Sequence, residues 1–278
     1  SIYLSPVYNG KISPICIDDK YGKVNFYMLP FIKPVHVRRF FPDAEIYTYT
    51  DALSTVITDM HIDTAQKNIL ITHQFVTGSS RTESEDISVG GSDNVDADIF
   101  KGFDYVALGH IHRSQCCDSE YIRYCGTPLK YSFSESKDIK SITMLDIKEK
   151  GNIELDFIPL TPLRDMVEIK GSYNELMLKS FYENTSLTDD YVHITLTDEE
   201  DIPDVITKLR VVYKNIMKID YDNQRTKKSS EINLINDMDS KSPLELFDTF
   251  YELQNGKHLS DTQRVFLKNI IEEIWEYK

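Results

Sequence analysis

Phe103-Asp104-Tyr105-Val106-Ala107-Leu108-Gly109-His110-Ile111-His112 is the stretch on which the fold turns. An apolar run of strand length ends in a glycine and then delivers two imidazoles, placing polar chemistry at the carboxyl end of a buried strand. A second run, Ile69-Leu70-Ile71-Thr72, ends the same way in His73, and a third, Val24-Asn25-Phe26-Tyr27-Met28-Leu29, closes at Pro30. Between the last two, Thr50 to Met60 carries Ala52, Val56, Ile57 and Met60 at helical spacing. Strand alternating with helix predicts an α/β layered domain whose functional loops gather at the carboxyl ends of neighbouring strands. Three of the seven histidines stand at two such ends. The polar, glycine-containing stretch from Gly78 to Asp96 reads as a long loop between them.

Further along, Ile142, Met144 and Ile147, then Gly151-Asn152, then Ile153 to Phe157 read as a hairpin that closes this first domain, with Pro159 and Pro162 marking the exit. A smaller α/β unit follows. Its expected elements are a strand at Met166 to Ile169, a helix near Tyr173 to Phe181, a strand at Tyr191 to Leu196 and a helix from Pro203 to Met217. That last helix is read from a stripe of Val205, Ile206, Leu209, Val212, Tyr213, Ile216 and Met217. Ser229 to Ser242 lacks periodicity and reads as a linker. Ser242-Pro243-Leu244-Glu245 is a capping box, and Ser260 with Gln263 opens a second helix, so the tail reads as a helical hairpin. The domain reading is 1–158, 159–228, a linker at 229–242 and the hairpin at 243–278.

Composition excludes several classes. The 278 residues exceed what one core usually holds, and no run approaches the roughly 20 apolar residues of a membrane span. Four cysteines without Cys-x-x-Cys spacing and no visible secretory signal suggest a reduced, cytoplasmic setting. The absence of an initiator Met is expected of a fragment or a processed chain. A net charge of -14 argues against a surface that grips nucleic acid everywhere, so any DNA contact is local or borrowed from a partner. Lys208, Arg210, Lys214, Lys218, Arg225, Lys227 and Lys228 make 207–228 the most basic stretch.

Together these residues resemble the SbcD family of nuclease subunits within the calcineurin-like metallophosphoesterases, over essentially the whole chain. The resemblance rests on Leu29-Pro30-Phe31-Ile32-Lys33-Pro34, His73-Gln74-Phe75-Val76-Thr77-Gly78, the 103–112 run and Pro162-Leu163-Arg164-Asp165-Met166. Most specific is Gly126-Thr127-Pro128-Leu129-Lys130-Tyr131-Ser132-Phe133-Ser134-Glu135. It implies a metallophosphoesterase-type layered β-sandwich flanked by helices, a small α/β capping domain that helps to position DNA, and a C-terminal helical hairpin. It also implies two manganese ions, with His73 and His110 ligating one and His112 the other. Lys130, Arg225, Lys227 and Lys228 are expected at DNA, and 243–278 on the coiled-coil base of an SbcC ATPase subunit. The family is a homodimer.

The implied activity is cleavage of DNA phosphodiesters, as a 3′ to 5′ exonuclease and an endonuclease, at DNA ends and hairpins in an ATP-driven complex. Two-metal hydrolysis holds its ions about 3.5–4 Å apart, and neutral imidazoles with bridging carboxylates suit them. The family's earlier motifs, an Asp-x-His, a bridging Asp, an Asn ligand and an assisting His, have no counterpart upstream of His73. The chain is therefore expected to hold part of a metal site and to show little activity alone. His36, His61, His193 and His258 lack any motif and are expected to be structural. Two alternatives are a non-catalytic scaffold that docks DNA and SbcC, and a small-molecule phosphodiesterase.

Overall fold

A computed structural model describes residues 2–85, 93–223, 242–255 and 258–276. Its central sheet is formed by six strands, β1 (Ile15–Asp19), β2 (Gly22–Leu29), β3 (Lys67–His73), β6 (Tyr105–Gly109), β7 (Gln115–Cys117) and β8 (Ser119–Tyr124). Their order across the sheet is β1-β2-β3-β6-β8-β7. The four inner strands run parallel and the two edge strands antiparallel. Parallel pairing needs crossovers, and α1 (Pro34–Arg38) with α2 (Tyr49–Asp59) supplies the one from β2 to β3. Thr48 caps α2 by accepting from the amide of Asp51, whose carboxylate returns the bond in a capping box.

One face of the sheet carries Tyr27, Leu29, Leu70, Val106, Leu108 and Tyr124 into a core shared with α2. The opposite face carries Val24, Ile69 and Tyr105 and is covered by a hairpin of β9 (Ser141–Ile147) and β10 (Ile153–Pro159), through Leu145, Ile147, Ile153 and Leu155. Helices on one side and a second sheet on the other make the layered α/β arrangement expected from the sequence. A short parallel pair, β4 (Phe75–Val76) and β5 (Asn94–Val95), ties the ends of the long loop together. Residues 86–92 within it lie outside the described residues.

A separate core of Leu176, Val192, Ile194, Leu196, Leu209 and Tyr213 belongs to a three-stranded parallel sheet of β11 (Met166–Gly171), β12 (Tyr191–Leu196) and β13 (Asn215–Tyr221). Here the expectation from sequence needs correction. The helix expected from Pro203 to Met217 is only α5 (Val205–Leu209), and its expected end is strand β13. Asp204 sits at φ 54, so the helix begins after a left-handed residue and Pro203 does not open its first turn. Beyond Leu209, pairing of Val192 with Ile216 and of Ile194 with Ile219 captures the chain in the parallel ladder. Helix-spaced apolar residues are shared between two elements facing one core. The helix expected near Tyr173 to Phe181 is likewise two short ones, α3 (Tyr173–Leu176) and α4 (Lys179–Tyr182).

The tail forms α6 (Pro243–Asn255) and α7 (Asp261–Glu276). Both expected caps are present, with Glu245 accepting from the Ser242 amide at 2.8 Å and Gln263 accepting from the Ser260 amide at 2.9 Å. Asp248 pins the connection by accepting from the Leu259 amide at 2.8 Å and pairing with Arg264. Of the expected linker at 229–242, residues 229–241 lie outside the described residues, and Ser242 caps the helix that follows. No helix among the described residues is long and apolar enough to cross a membrane.

Candidate metal centre

The parallel register of β3 and β6 sets His73 directly beside Gly109, so His73 and His110 emerge together at the carboxyl end of the sheet. Their rings meet edge to face with centroids 5.3 Å apart. Gly109 is required for this approach: a Cβ there would stand 2.8 Å from Nδ1 of His73, inside any tolerable contact. His110 itself adopts φ 105, a left-handed conformation that a side-chain-bearing residue rarely accepts and that turns the chain sharply after the strand.

Behind these rings the loop is bolted to the sheet. The hydroxyl of buried Tyr124 donates to the carbonyl of Gln74 at 2.6 Å and accepts from the amide of Val76 at 2.8 Å. Arg81 lies 3.8 Å over the ring of Phe75 and makes a two-pronged pair with Asp93 at 3.0 and 2.9 Å. Phe75 in turn meets His110 edge to face with centroids 6.1 Å apart.

Both strand-end imidazoles are held towards the neutral form. Burial lowers the pKa of His110, and the neighbouring His73 and Arg81 lower it further. Desolvation followed by repulsion from His112 lowers that of His73. Among the described residues, His110 Nε2 is buried with no hydrogen-bond partner. Such an atom costs roughly 1–3 kcal/mol unless something occupies its lone pair or takes its proton.

His112 is held differently. Its amide donates to Glu85 Oε1 at 2.5 Å, and its carbonyl accepts from Lys140 Nζ at 2.8 Å and from the Thr127 amide at 3.0 Å. Its ring packs against Tyr131, and its Nδ1 lies 2.7 Å from Ser84 Oγ, which contacts the fully buried Glu135 at 2.8 Å. Glu135 is a hub, accepting from Lys140 Nζ at 2.5 Å and from the amides of Tyr131 and Ser132 at 3.2 Å each. Burial pushes its pKa up, but hydrogen bonds from Lys140 and Ser84 outweigh that and hold it below the usual carboxylate range.

Tested as a cation site, the residues fit in part. Neutral imidazoles, an orphaned buried nitrogen and a strand end kept free of Cβ suit a divalent first-row metal. Among the described residues, however, no group of three or more His, Cys, Asp or Glu side chains is arranged to hold one. Of the carboxylates near the histidines, Glu85 and Glu135 are spent on amides, Lys140 and Ser84, and Asp93 on Arg81.

Lys130, expected at DNA, is nearly buried, donating to the carbonyl of Ser136 at 2.6 Å and pairing with Asp165 at 2.9 Å, which ties the 126–135 run to the segment entering β11. Arg225, Lys227 and Lys228 lie outside the described residues. The remaining histidines with described contacts serve structure: His36 Nδ1 accepts from the Lys33 amide at 3.2 Å, His193 bridges Glu168 and Asp220, and His258 pairs with Asp248 and Glu252. Nothing in the sequence pattern points to Ser84, Glu85 or Lys140. Only Glu135 has a local signal, the Ser-x-x-Glu capping spacing from Ser132, which the fold realises.

Residues 162–255 match a family described as the type 5 capsule protein repressor C-terminal domain, SbcD_C. The chain is 32% identical over 263 residues to a protein of Staphylococcus epidermidis named as the D component of nuclease SbcCD, covering 92% of this chain and 68% of that one. The chain belongs to the SbcD family of nuclease subunits. A protein of the same name from Staphylococcus saprophyticus is 31% identical over 283 residues, covering 99% of this chain and 72% of its own. Within this SbcD family member, the histidine-bearing strand ends and the hub at Glu135 all lie ahead of the 162–255 match, in a part of the chain that the similarity to the Staphylococcus saprophyticus protein takes in.

Proposed function

We propose that the chain serves DNA phosphodiester hydrolysis with two divalent ions, manganese in the first place, as the nuclease subunit of a complex with an SbcC ATPase that processes DNA ends and hairpins. His73 and His110 would hold one ion and His112 the other. The observation that carries this is the pairing of His73 and His110 at adjacent parallel strand ends, with His110 Nε2 buried and unpartnered among the described residues. When bound, such ions activate the attacking water and absorb charge on the phosphoryl oxygens. The chain's own contribution is positional: Gly109 admits the His73 ring, Tyr124 fixes the loop behind it, and burial shifts His73 and His110 towards the unprotonated form.

Three nitrogen donors without a carboxylate make a weak manganese site, because manganese prefers oxygen ligands and a stable site takes at least three protein ligands per ion. The chain alone therefore binds manganese weakly and cleaves DNA slowly in both exonuclease and endonuclease modes. The absence of a closed ligand group among the described residues also favours a second reading, a DNA- and SbcC-docking part without turnover. For docking, α6 and α7 expose Phe247, Phe250, Val265 and Phe266, an apolar surface suited to a groove on a partner such as SbcC. Dimerisation, as in the family, completes the proposed assembly.

The test is manganese affinity and nuclease rate of the purified chain beside His73→Ala and His110→Ala. Weak, histidine-dependent binding is expected. Turnover matching a complete nuclease subunit would refute the partial site, and affinity unchanged by both substitutions would remove the metal reading altogether.

A further inference from the structure

We propose that Ser84 is a positioning residue that fixes the proton of His112 on Nδ1, leaving the Nε2 lone pair free for a divalent cation. Counting protons leads there. Among the described residues, every other hydrogen bond to the Glu135 carboxylate is from a group that can only donate or is donating: the amides of Tyr131 and Ser132, the Ser132 hydroxyl at 3.1 Å and the Lys140 ammonium. A carboxylate so surrounded is ionised and accepts only. Ser84 has one hydroxyl hydrogen, and its 2.8 Å bond to Glu135 Oε1 uses it. The 2.7 Å contact between Ser84 Oγ and His112 Nδ1 then requires the ring to be the donor. Thr82 Oγ1, 2.9 Å from Ser84 Oγ, fits the same assignment, since the hydroxyl oxygen can accept a second bond.

In its neutral form the ring is thereby left with its lone pair on Nε2, and its backbone is clamped on both sides by Glu85, Thr127 and Lys140. A ligating histidine is ordinarily oriented through its other nitrogen by a carboxylate or carbonyl. Here the carboxylate acts at one remove, through a hydroxyl brought from a different loop. His110 Nε2 has no partner among the described residues, so the two halves of the site differ in how firmly their donors are set.

This inference rests on the metal reading of the same site, and the experiment separates the two. The full 278-residue chain, labelled with 15N in histidine and free of metal, is measured by long-range proton–nitrogen NMR, then titrated with Mn2+ alone and followed by electron paramagnetic resonance. His112 is expected to show a protonated Nδ1 and an unprotonated Nε2. Ser84→Ala is expected to move the proton to Nε2 or mix the tautomers and to weaken Mn2+ binding by about tenfold or more, the range found for orienting partners. Ser84→Thr, which keeps the hydroxyl, is expected to restore both.

A proton on Nε2 in the unsubstituted chain, a measurement that needs no variant to fold, would overturn the proposal. So would a tautomer unmoved by Ser84→Ala. The expected tautomer with no Mn2+ bound at any concentration would support the relay and overturn the metal reading.

Discussion

His110, just after β6, and His193, within β12, both rest against aromatic rings, Phe75 at 6.1 Å and Phe133 at 5.2 Å, yet their nitrogens are treated in opposite ways. His193 is saturated, with Nδ1 3.1 Å from Glu168 and Nε2 2.8 Å from Asp220. His110 leaves Nε2 buried and, among the described residues, unpartnered, on a backbone in a strained conformation. Orphaned buried nitrogens and left-handed non-glycine residues each cost free energy that folding alone does not repay. On the proposed function, the histidine at the end of the six-stranded sheet is built for a ligand, whereas the one in the three-stranded sheet joins β11, β12 and β13.

Removing each ring in turn puts that contrast at risk. His110→Ala should weaken Mn2+ binding by more than about 100-fold, since even an orienting partner is worth about 10- to 100-fold. It should leave the unfolding midpoint nearly unchanged, because the lost ring held an unsatisfied atom. Calorimetric titration with thermal unfolding on the same samples checks both halves.

The hub beneath His112 gives the largest expected stability effect. Lys140→Met leaves Glu135 buried and uncompensated, a change that typically costs about 3–5 kcal/mol, and denaturant unfolding measures it. His193→Ala should cost less, about 1 kcal/mol, because both of its carboxylates are roughly half exposed and screened by water. Its Mn2+ affinity should match that of the unsubstituted chain.

The smallest effect lies in pH. Glu135 has a folded pKa below its ordinary value of 4.5, so its contribution is fully present above that value and is lost as pH falls through the depressed one. An unfolding midpoint measured from neutral to acid pH should hold steady and then drop. Asp220 behaves in the same direction: burial raises its pKa, and Lys218 and His193 outweigh that. If Lys140→Met leaves the acid limb unaltered, the hub is not what that limb reports.

What could be read from the sequence was local. Strand ends at His73 and Gly109, the caps at Ser242 and Ser260, and the hairpin around Gly151 each depend on residues within a few positions of one another, so their chemistry is written in order. The stretch from Val205 to Met217 misleads because one core receives apolar residues from a short helix and from a parallel strand, and their spacings merge into a helical stripe. The relay was not legible at all. His112 and Glu135 stand 28 and 51 positions from Ser84, and only the folded loop brings the hydroxyl between ring and carboxylate.

Whether three imidazoles share one cation-binding corner can be seen from paramagnetic broadening of the histidine ring signals by substoichiometric Mn2+. His73, His110 and His112 should broaden together at the lowest additions while His193 stays sharp. Early broadening of His193, or a sharp signal from any of the three, would show that the corner does not exist as proposed.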